Sequence, residues 1–337
     1  MLFLLQFEET PSLATRLPPL DISTDQSSLL AFKTYITNFN TNPTLVSNWT
    51  TTTPSSVCNW VGITCGKLHR RVVALNLPNM GLIGTIPPHL GNLSFLAQLN
   101  IDNNSFYGDL PKELANLRRL QYINLRLNNF GGPIPPWFGA FQELQYVYLN
   151  NNSFTGSIPQ EIGNLQSLKV LNMQFNMFTG SIPRGIFNVS SLERLTFVGN
   201  SLSGNLPADM CNHLPNLQIL SLSLNDLEGG IPNEFVNLVN LEILSLASAG
   251  LTGVLPHFLF NMSSLQVIGI LENNFSGSLP RNICPQGSAL VGIYFARNQL
   301  TGGIFDMGNC TSIQTVDLSQ NNLTGTIVVS VLQLPHF

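Results

Sequence analysis

Charge is what this sequence has least of. Charged residues make up 9% of its 337 positions, against about 25% in a typical soluble domain. The net charge is -4, and no Lys/Arg run extends beyond Arg70-Arg71 and Arg118-Arg119. The electrostatic footprint of a nucleic-acid binder is therefore missing, and both arginine pairs are expected on solvated faces. Catalytic patterns are missing too. There is no glycine-rich phosphate loop, H-E-x-x-H or G-x-S-x-G. The five histidines (His69, His89, His213, His257, His336) share no face, and the carboxylates form no pair in register. Neither an enzyme nor a cofactor site is indicated. Long apolar runs are also lacking. Ile327 to Leu332 falls well short of the roughly 18 residues that span a bilayer, so no membrane span is expected in this chain. At the start, Met1 to Leu5 is apolar, but Gln6, Glu8 and Glu9 cut it below the about 7–15 residues of a secretory signal. Residues 1–23 read as a leader with a poor signal-like start.

Hydrophobic residues make up 44% of the chain, and the polar surface comes from Asn, Ser, Thr, Gln and Gly. That balance suits a folded protein, since disorder needs few apolar residues and high net charge. The organisation is a repeat, L-x-x-L-x-L-x-x-N-x-L-x-G-x-I-P, in eleven copies. Its Asn slot falls at Asn104, Asn128, Asn152, Asn176, Asn200, Asn225, Asn273, Asn298 and Asn321, with Met80 in the first copy and Ala249 in the eighth. A period of about 24 residues sustained this far signals a solenoid. In L-x-L the chain alternates as a strand, so Leu99 and Ile101 point inward while Gln98, Asn100 and Asp102 point out. Stacked copies make a parallel concave sheet, on the order of 50 Å long for eleven strands. The slot Asn satisfies main-chain groups that would otherwise be buried unpaired. Ala249 cannot, so local looseness or an ordered water is expected there. Gly108, Gly156, Gly180, Gly204 and Gly277 permit positive φ at the bend. Ile-Pro or Leu-Pro follows where no ladder N–H is needed.

A solenoid needs caps. Asp25 to Lys33 reads as an amphipathic helix with Thr24 or Asp25 as N-cap. Beyond Trp49, Cys58 and Cys65 flank Trp60 just ahead of the first copy. A disulfide pinning the cap is expected, with zinc as the competing reading, for which His69 is the nearby extra ligand. Cys211 and Cys284 occupy one slot three copies apart, too far to bridge. Together with Cys310, which replaces a core aliphatic, they are expected as buried thiols. Asn-x-Ser/Thr sequons at Asn48, Asn92, Asn103, Asn151, Asn188, Asn261, Asn274, Asn309 and Asn322 favour a secretory route and glycosylation. Asn92, Asn188, Asn261 and Asn309 share one repeat position away from the concave strands. Residues 24–70 thus form a cap. Residues 71–337 hold eleven repeats and the start of a twelfth at Leu334 and Phe337, which reads as a chain stopping mid-repeat.

The spacer Phe154-Thr155-Gly156-Ser157-Ile158-Pro159 resembles the plant-specific subclass of leucine-rich repeats, and Cys58-Asn59-Trp60-Val61-Gly62-Ile63-Thr64-Cys65 looks like that subclass's N-terminal cap. From about residue 24 onward the chain resembles the ectodomains of plant leucine-rich-repeat receptor kinases, in particular the subfamily of flagellin and blight-resistance immune receptors. The resemblance implies an α/β solenoid, a right-handed superhelix whose inner face binds a peptide or protein ligand. It also implies an extracellular, plasma-membrane-associated setting and a co-receptor kinase docking near the C-terminal repeats. The cysteine-bearing C-terminal cap, membrane helix and kinase of that family are not found, so a truncated ectodomain is expected. The alternative is a complete secreted inhibitor, similar to the plant proteins that block fungal polygalacturonases.

The alternation also gives the outward positions. Tyr122, Asn124 and Arg126 come from the third copy, Tyr146, Tyr148 and Asn150 from the fourth, Val170, Asn172 and Gln174 from the fifth, and Arg194, Thr196 and Val198 from the sixth. Tyr and Arg dominate binding hot spots, which makes Tyr122, Arg126, Tyr146, Tyr148, Gln174 and Arg194 the candidate ligand site. Ordinary cross-strand packing is the competing reading. Ile219, Ile243, Val267 and Leu271 form a rival apolar patch.

Overall fold

The computed structural model describes residues 21–38, 45, 48–50, 54–211, 213–304 and 309–325. Residues 1–20 of the expected leader (1–23) and the incipient twelfth copy lie outside the described residues, while residues 22 and 23 belong to the cap helix. Twelve strands form one sheet. The first, β1 (Ile63–Cys65), is an antiparallel cap strand on β2 (Val72–Asn76). The remaining ten run parallel in sequence order: β3 (Gln98–Asn100), β4 (Tyr122–Asn124), β5 (Tyr146–Tyr148), β6 (Val170–Asn172), β7 (Arg194–Thr196), β8 (Ile219–Ser221), β9 (Ile243–Ser245), β10 (Val267–Gly269), β11 (Gly292–Tyr294) and β12 (Thr315–Asp317). The antiparallel strand covers the edge that the first parallel strand would otherwise leave open.

After each strand the chain bends through glycine into a shorter second ladder. Gly108, Gly156, Gly180, Gly204 and Gly277 have φ between +74° and +88°, as the spacing requires. Pro then stands in extended backbone ahead of a single 3-10 turn, as at Pro159 (φ -69°, ψ 144°) before Gln160–Asn164. Its missing N–H costs nothing at that point.

The asparagine ladder is regular. Asn128 accepts from the Phe106 N–H at 2.9 Å and donates to the carbonyls of Ile101, Leu125 and Arg126 at 3.0–3.1 Å. Asn152, Asn176, Asn200, Asn225 and Asn298 repeat the pattern. The looseness expected at Ala249 does not occur. The Leu227 N–H that an Asn there would take is accepted instead by the Ala249 carbonyl at 2.8 Å. The carbonyls such an Asn would feed keep a second donor, Asn225 on Leu222 and Asn273 on Leu246. Each inner carbonyl is shared between two copies, so one missing amide leaves no orphan.

Phenylalanines two residues beyond the slot stack along the core. Phe106, Phe130, Phe154 and Phe178 are 6.1–6.3 Å apart with planes within 9°. Phe32 from helix α1 (Ile22–Thr34) extends this column at 5.8 Å, so the cap helix supplies the ring that the first copy, with Leu82 at the equivalent position, does not.

Three sequence expectations are corrected at the cap and the cysteines. The N-cap of α1 is Asp21, in a capping box with Thr24. Asp25 is fully buried instead. It accepts from Arg71 through Nε (2.8 Å) and Nη2 (2.6 Å), and from the Val72 N–H at 2.8 Å. Arg71 is correspondingly 5% exposed and not solvated, because a bidentate carboxylate compensates its charge. The exposed member of that pair is Arg70. Cys58 and Cys65 form the expected disulfide. Cys284 and Cys310 are not thiols but a second disulfide, with Cα atoms 5.2 Å apart. Cys211 is three copies from Cys284, whereas Cys310 is one copy on, within bridging range. Cys211 remains a buried thiol, and desolvation pushes its pKa up to about 12.

Candidate ligand-binding face

Strand alternation carries the outward side chains in three columns, and the parallel register sets them side by side. Tyr122 on β4 stands opposite Tyr146 on β5, and Asn124 opposite Tyr148. Tyr146 is followed in register by Val170 and Arg194. The three tyrosine rings cluster, with Tyr122 centred 6.2 Å from Tyr146 and 5.8 Å from Tyr148, both tilted. All three are half-buried. Burial, followed by the neighbouring Tyr122, pushes the Tyr148 phenol above its ordinary value, while Arg194 and Arg126 oppose the shift.

The two arginines differ in what they have left to offer. Arg126 donates from Nε to Asp102 at 2.8 Å, which raises its own pKa and holds it against the second copy. Arg194 is exposed and makes no ion pair among the described residues. It is the uncommitted cation of the cluster. Gln174 is half-buried two copies beyond Arg126 in the same outward column.

The middle column shows where the repeat's local rules are broken. Asn100, Asn124 and Asn172 each accept the backbone N–H two residues on, at Asp102, Arg126 and Gln174, at 3.2 Å. Tyr148 occupies this position in the fourth copy and forgoes that bond. Two residues later Asn150 is 6% exposed. Its Nδ2 donates to Asn151, but its Oδ1 is buried without a partner. An unpaired buried acceptor costs about 1–3 kcal/mol.

A further feature was not anticipated. The residue before the slot is left-handed in every copy, from Asn79 (φ 57°) and Asn103 (φ 51°) through Gly199 to Gln320 (φ 53°). Asn and Gly adopt this region readily. Leu127, Phe175 and Leu224 adopt it at φ 52–56° while 41–49% exposed. They stand beside the third outward column in alternate copies, with Asn151 and Gly199 between them. The recurring Asn-Asn doublets at Asn103 and Asn151 were the available sequence signal. The rival patch is also assembled in register, Ile219 to Ile243 to Val267, with half-buried side chains.

Most sequon asparagines are solvent-facing. Asn92, Asn188, Asn261 and Asn309 are exposed on one flank, and Asn274 and Asn322 lie on the second ladder. Asn48 differs. Its amide is engaged at both ends, donating to the Asn59 carbonyl and accepting the Val61 N–H.

A concave parallel sheet, an asparagine ladder, and a helix-plus-disulfide cap together define a leucine-rich-repeat protein. Comparison with known proteins agrees. The profile of the leucine rich repeat N-terminal domain matches residues 22–66, and that of the Leucine Rich Repeat matches 119–141, 143–165, 167–189 and 216–238. The chain carries these domains and is homologous to plant leucine-rich-repeat receptor kinases over part of their ectodomain region. It is 45% identical over 76 residues, 23% of its own length, to the LRR receptor-like serine/threonine-protein kinase EFR of Arabidopsis thaliana, and that match covers 7% of the kinase. Among solved structures it resembles the Arabidopsis receptor kinase HAESA ectodomain in complex with an N-terminally extended IDA peptide hormone (TM-score 0.81, 28% identity, 93% of this chain and 52% of that one). It also resembles HAESA in complex with IDA and the co-receptor SERK1 (TM-score 0.65, 26% identity, 92% and 59%). The chain thus spans about half of the solved ectodomain and a small fraction of the curated kinase. No helix among the described residues is long and apolar enough to cross a membrane.

Proposed function

We propose that the chain is a non-catalytic, extracellular recognition module. It binds a peptide or protein ligand at Tyr122, Arg126, Tyr146, Tyr148, Gln174 and Arg194, in perception of the immunity type that the resemblance to flagellin and blight-resistance receptors suggests. The observation that carries this reading is the tyrosine cluster across β4 and β5, flanked by the uncommitted Arg194. Large, semi-rigid rings bury area on a partner at little entropic cost. Tyr148 occupies a position where asparagine serves the fold better, and beside it Asn150 leaves a buried acceptor unpaired. Broken local rules of this kind gather at functional sites. The HAESA complexes, each with a peptide hormone and one with a co-receptor, support the ligand class and a co-receptor kinase as a further partner. Glycans on the exposed flank at Asn92, Asn188, Asn261 and Asn309 would leave the concave strands open.

The test is peptide display. A random dodecapeptide library is panned on the secreted chain, and the enriched peptides are titrated against the wild type and a Tyr146→Ala/Tyr148→Ala variant. Expected is a loss of about tenfold or more in affinity, corresponding to at least 1.4 kcal/mol. Enriched peptides that bind both proteins equally would place recognition elsewhere, with the Ile219–Ile243–Val267 patch the next to examine.

A further inference from the structure

A cavity of about 730 Å³ opens at the start of the concave sheet, alongside Val73 in β2 and the residues that precede β3 and β4 (Ala97 and Gln121). Its walls hold Lys67, His69, Arg71 and Arg119 against a single carboxylate, Glu143. That is three of the fourteen Lys and Arg in a chain of net charge -4. Arg71 is spent on Asp25, and Glu143 accepts from the Gln121 amide at 3.2 Å. Lys67 and Arg119 have no ionic partner among the described residues.

Phe95 organises the site. The Arg119 guanidinium lies 4.0 Å from its ring centroid and that of Arg71 4.9 Å, while the His69 ring is centred 5.4 Å away. Stacking on an aromatic face fixes the plane of a guanidinium without using its N–H groups. Arg119 is therefore held in place with its donors unspent, the arrangement that binds a carboxylate bidentately. Next to it Leu68 is 90% exposed, an apolar side chain on the cavity wall with nothing covering it.

We infer that this cavity is a second recognition site, which takes an acidic peptide segment by pairing a carboxylate with Arg119 and Lys67 and laying a neighbouring apolar side chain on Leu68 and Phe95. Charge complementarity selects the anion. The apolar wall favours a peptide over an acidic polysaccharide, whose hydroxyls would find few partners there. The site is separate from the tyrosine cluster and does not depend on what that cluster binds.

The test uses a fluorescein-labelled Glu-Glu-Leu-Glu-Glu-Leu peptide and the full chain, read by anisotropy, with melting curves to show that each variant is folded. Saturable binding is expected, weakened about tenfold or more in Lys67→Gln/Arg119→Gln and unchanged in Arg281→Gln, an exposed cation of the tenth copy. Phe95→Ala keeps every charge but frees Arg119, and it should weaken binding as well. If it fails to fold, Lys67→Gln alone, on an exposed turn, should still show a several-fold loss. The proposal is overturned if the double variant binds as the wild type does, or if the all-Gln peptide binds equally. It is likewise overturned if the acidic peptide shows no saturable binding to the wild type.

Discussion

Within each copy, one asparagine amide does the work of several backbone partners. Asn128 serves four buried or part-buried main-chain groups, among them the Phe106 N–H that it accepts at 2.9 Å. Asn128→Ala should therefore cost about 1–3 kcal/mol, measured by denaturant unfolding. Ala249 shows why the cost depends on context, since its own carbonyl takes over the accepting role. Tyr148 illustrates the opposite case. Tyr148→Asn restores the side chain that in the neighbouring copies accepts the N–H two residues on. It should raise stability by about 1 kcal/mol while weakening the peptides selected on the concave face. A variant that loses stability as well as binding would show that Tyr148 is there for packing. The ladder was readable from the sequence, because its role follows from period and polarity alone. The orphaned Asn150 acceptor was not, since it arises from which side chains the neighbouring copies place around it.

At the scale of elements, α1 is joined to the sheet by the buried Asp25–Arg71 pair and by the Phe32 ring at the head of the phenylalanine column. Asp25→Ala leaves Arg71 buried and uncompensated and should cost about 3–5 kcal/mol, with loss of the cap seen as fast hydrogen exchange in α1 and β2. This pairing was hidden in the sequence. Its partners are 46 residues apart, and Arg70-Arg71 looks like any exposed doublet. The Ser23 hydroxyl, followed by the Thr24 N–H, holds the Asp21 carboxyl below its ordinary value. Because the folded value is the lower one, the cap stabilises fully above the ordinary carboxylate range and is lost as pH falls through the lowered value. Circular dichroism in acid should show α1 fraying in the wild type, with Asp21→Asn less pH-dependent. Beside the third outward column, Leu127→Asn relieves a left-handed leucine and should stabilise by up to about 1 kcal/mol, as checked by thermal melting.

For the whole molecule, stability propagates copy to copy, since each contacts only its neighbours. The two disulfides sit towards opposite ends of this stack. Cys58–Cys65 lies in the cap, and Cys284–Cys310 joins the tenth and eleventh copies. Cys310→Ser should cost about 3 kcal/mol on the entropic model, with early exchange confined to β11 and β12. That bridge was within reach of the sequence by the same slot spacing that separated Cys211 from Cys284, applied one copy onward. The eleven-copy period and the outward tyrosines were legible because a period-2 strand inside a 24-residue repeat fixes both. What ligand the face accepts is set by individual side chains and not by the repeat. The most direct measurement is a hydrogen-exchange footprint of the chain with its best display-selected peptide. Protection is expected at residues 122–126, 146–150, 170–174 and 194–198. Protection confined to the second ladder or the 3-10 turns, with these segments unchanged, would contradict recognition on the concave face.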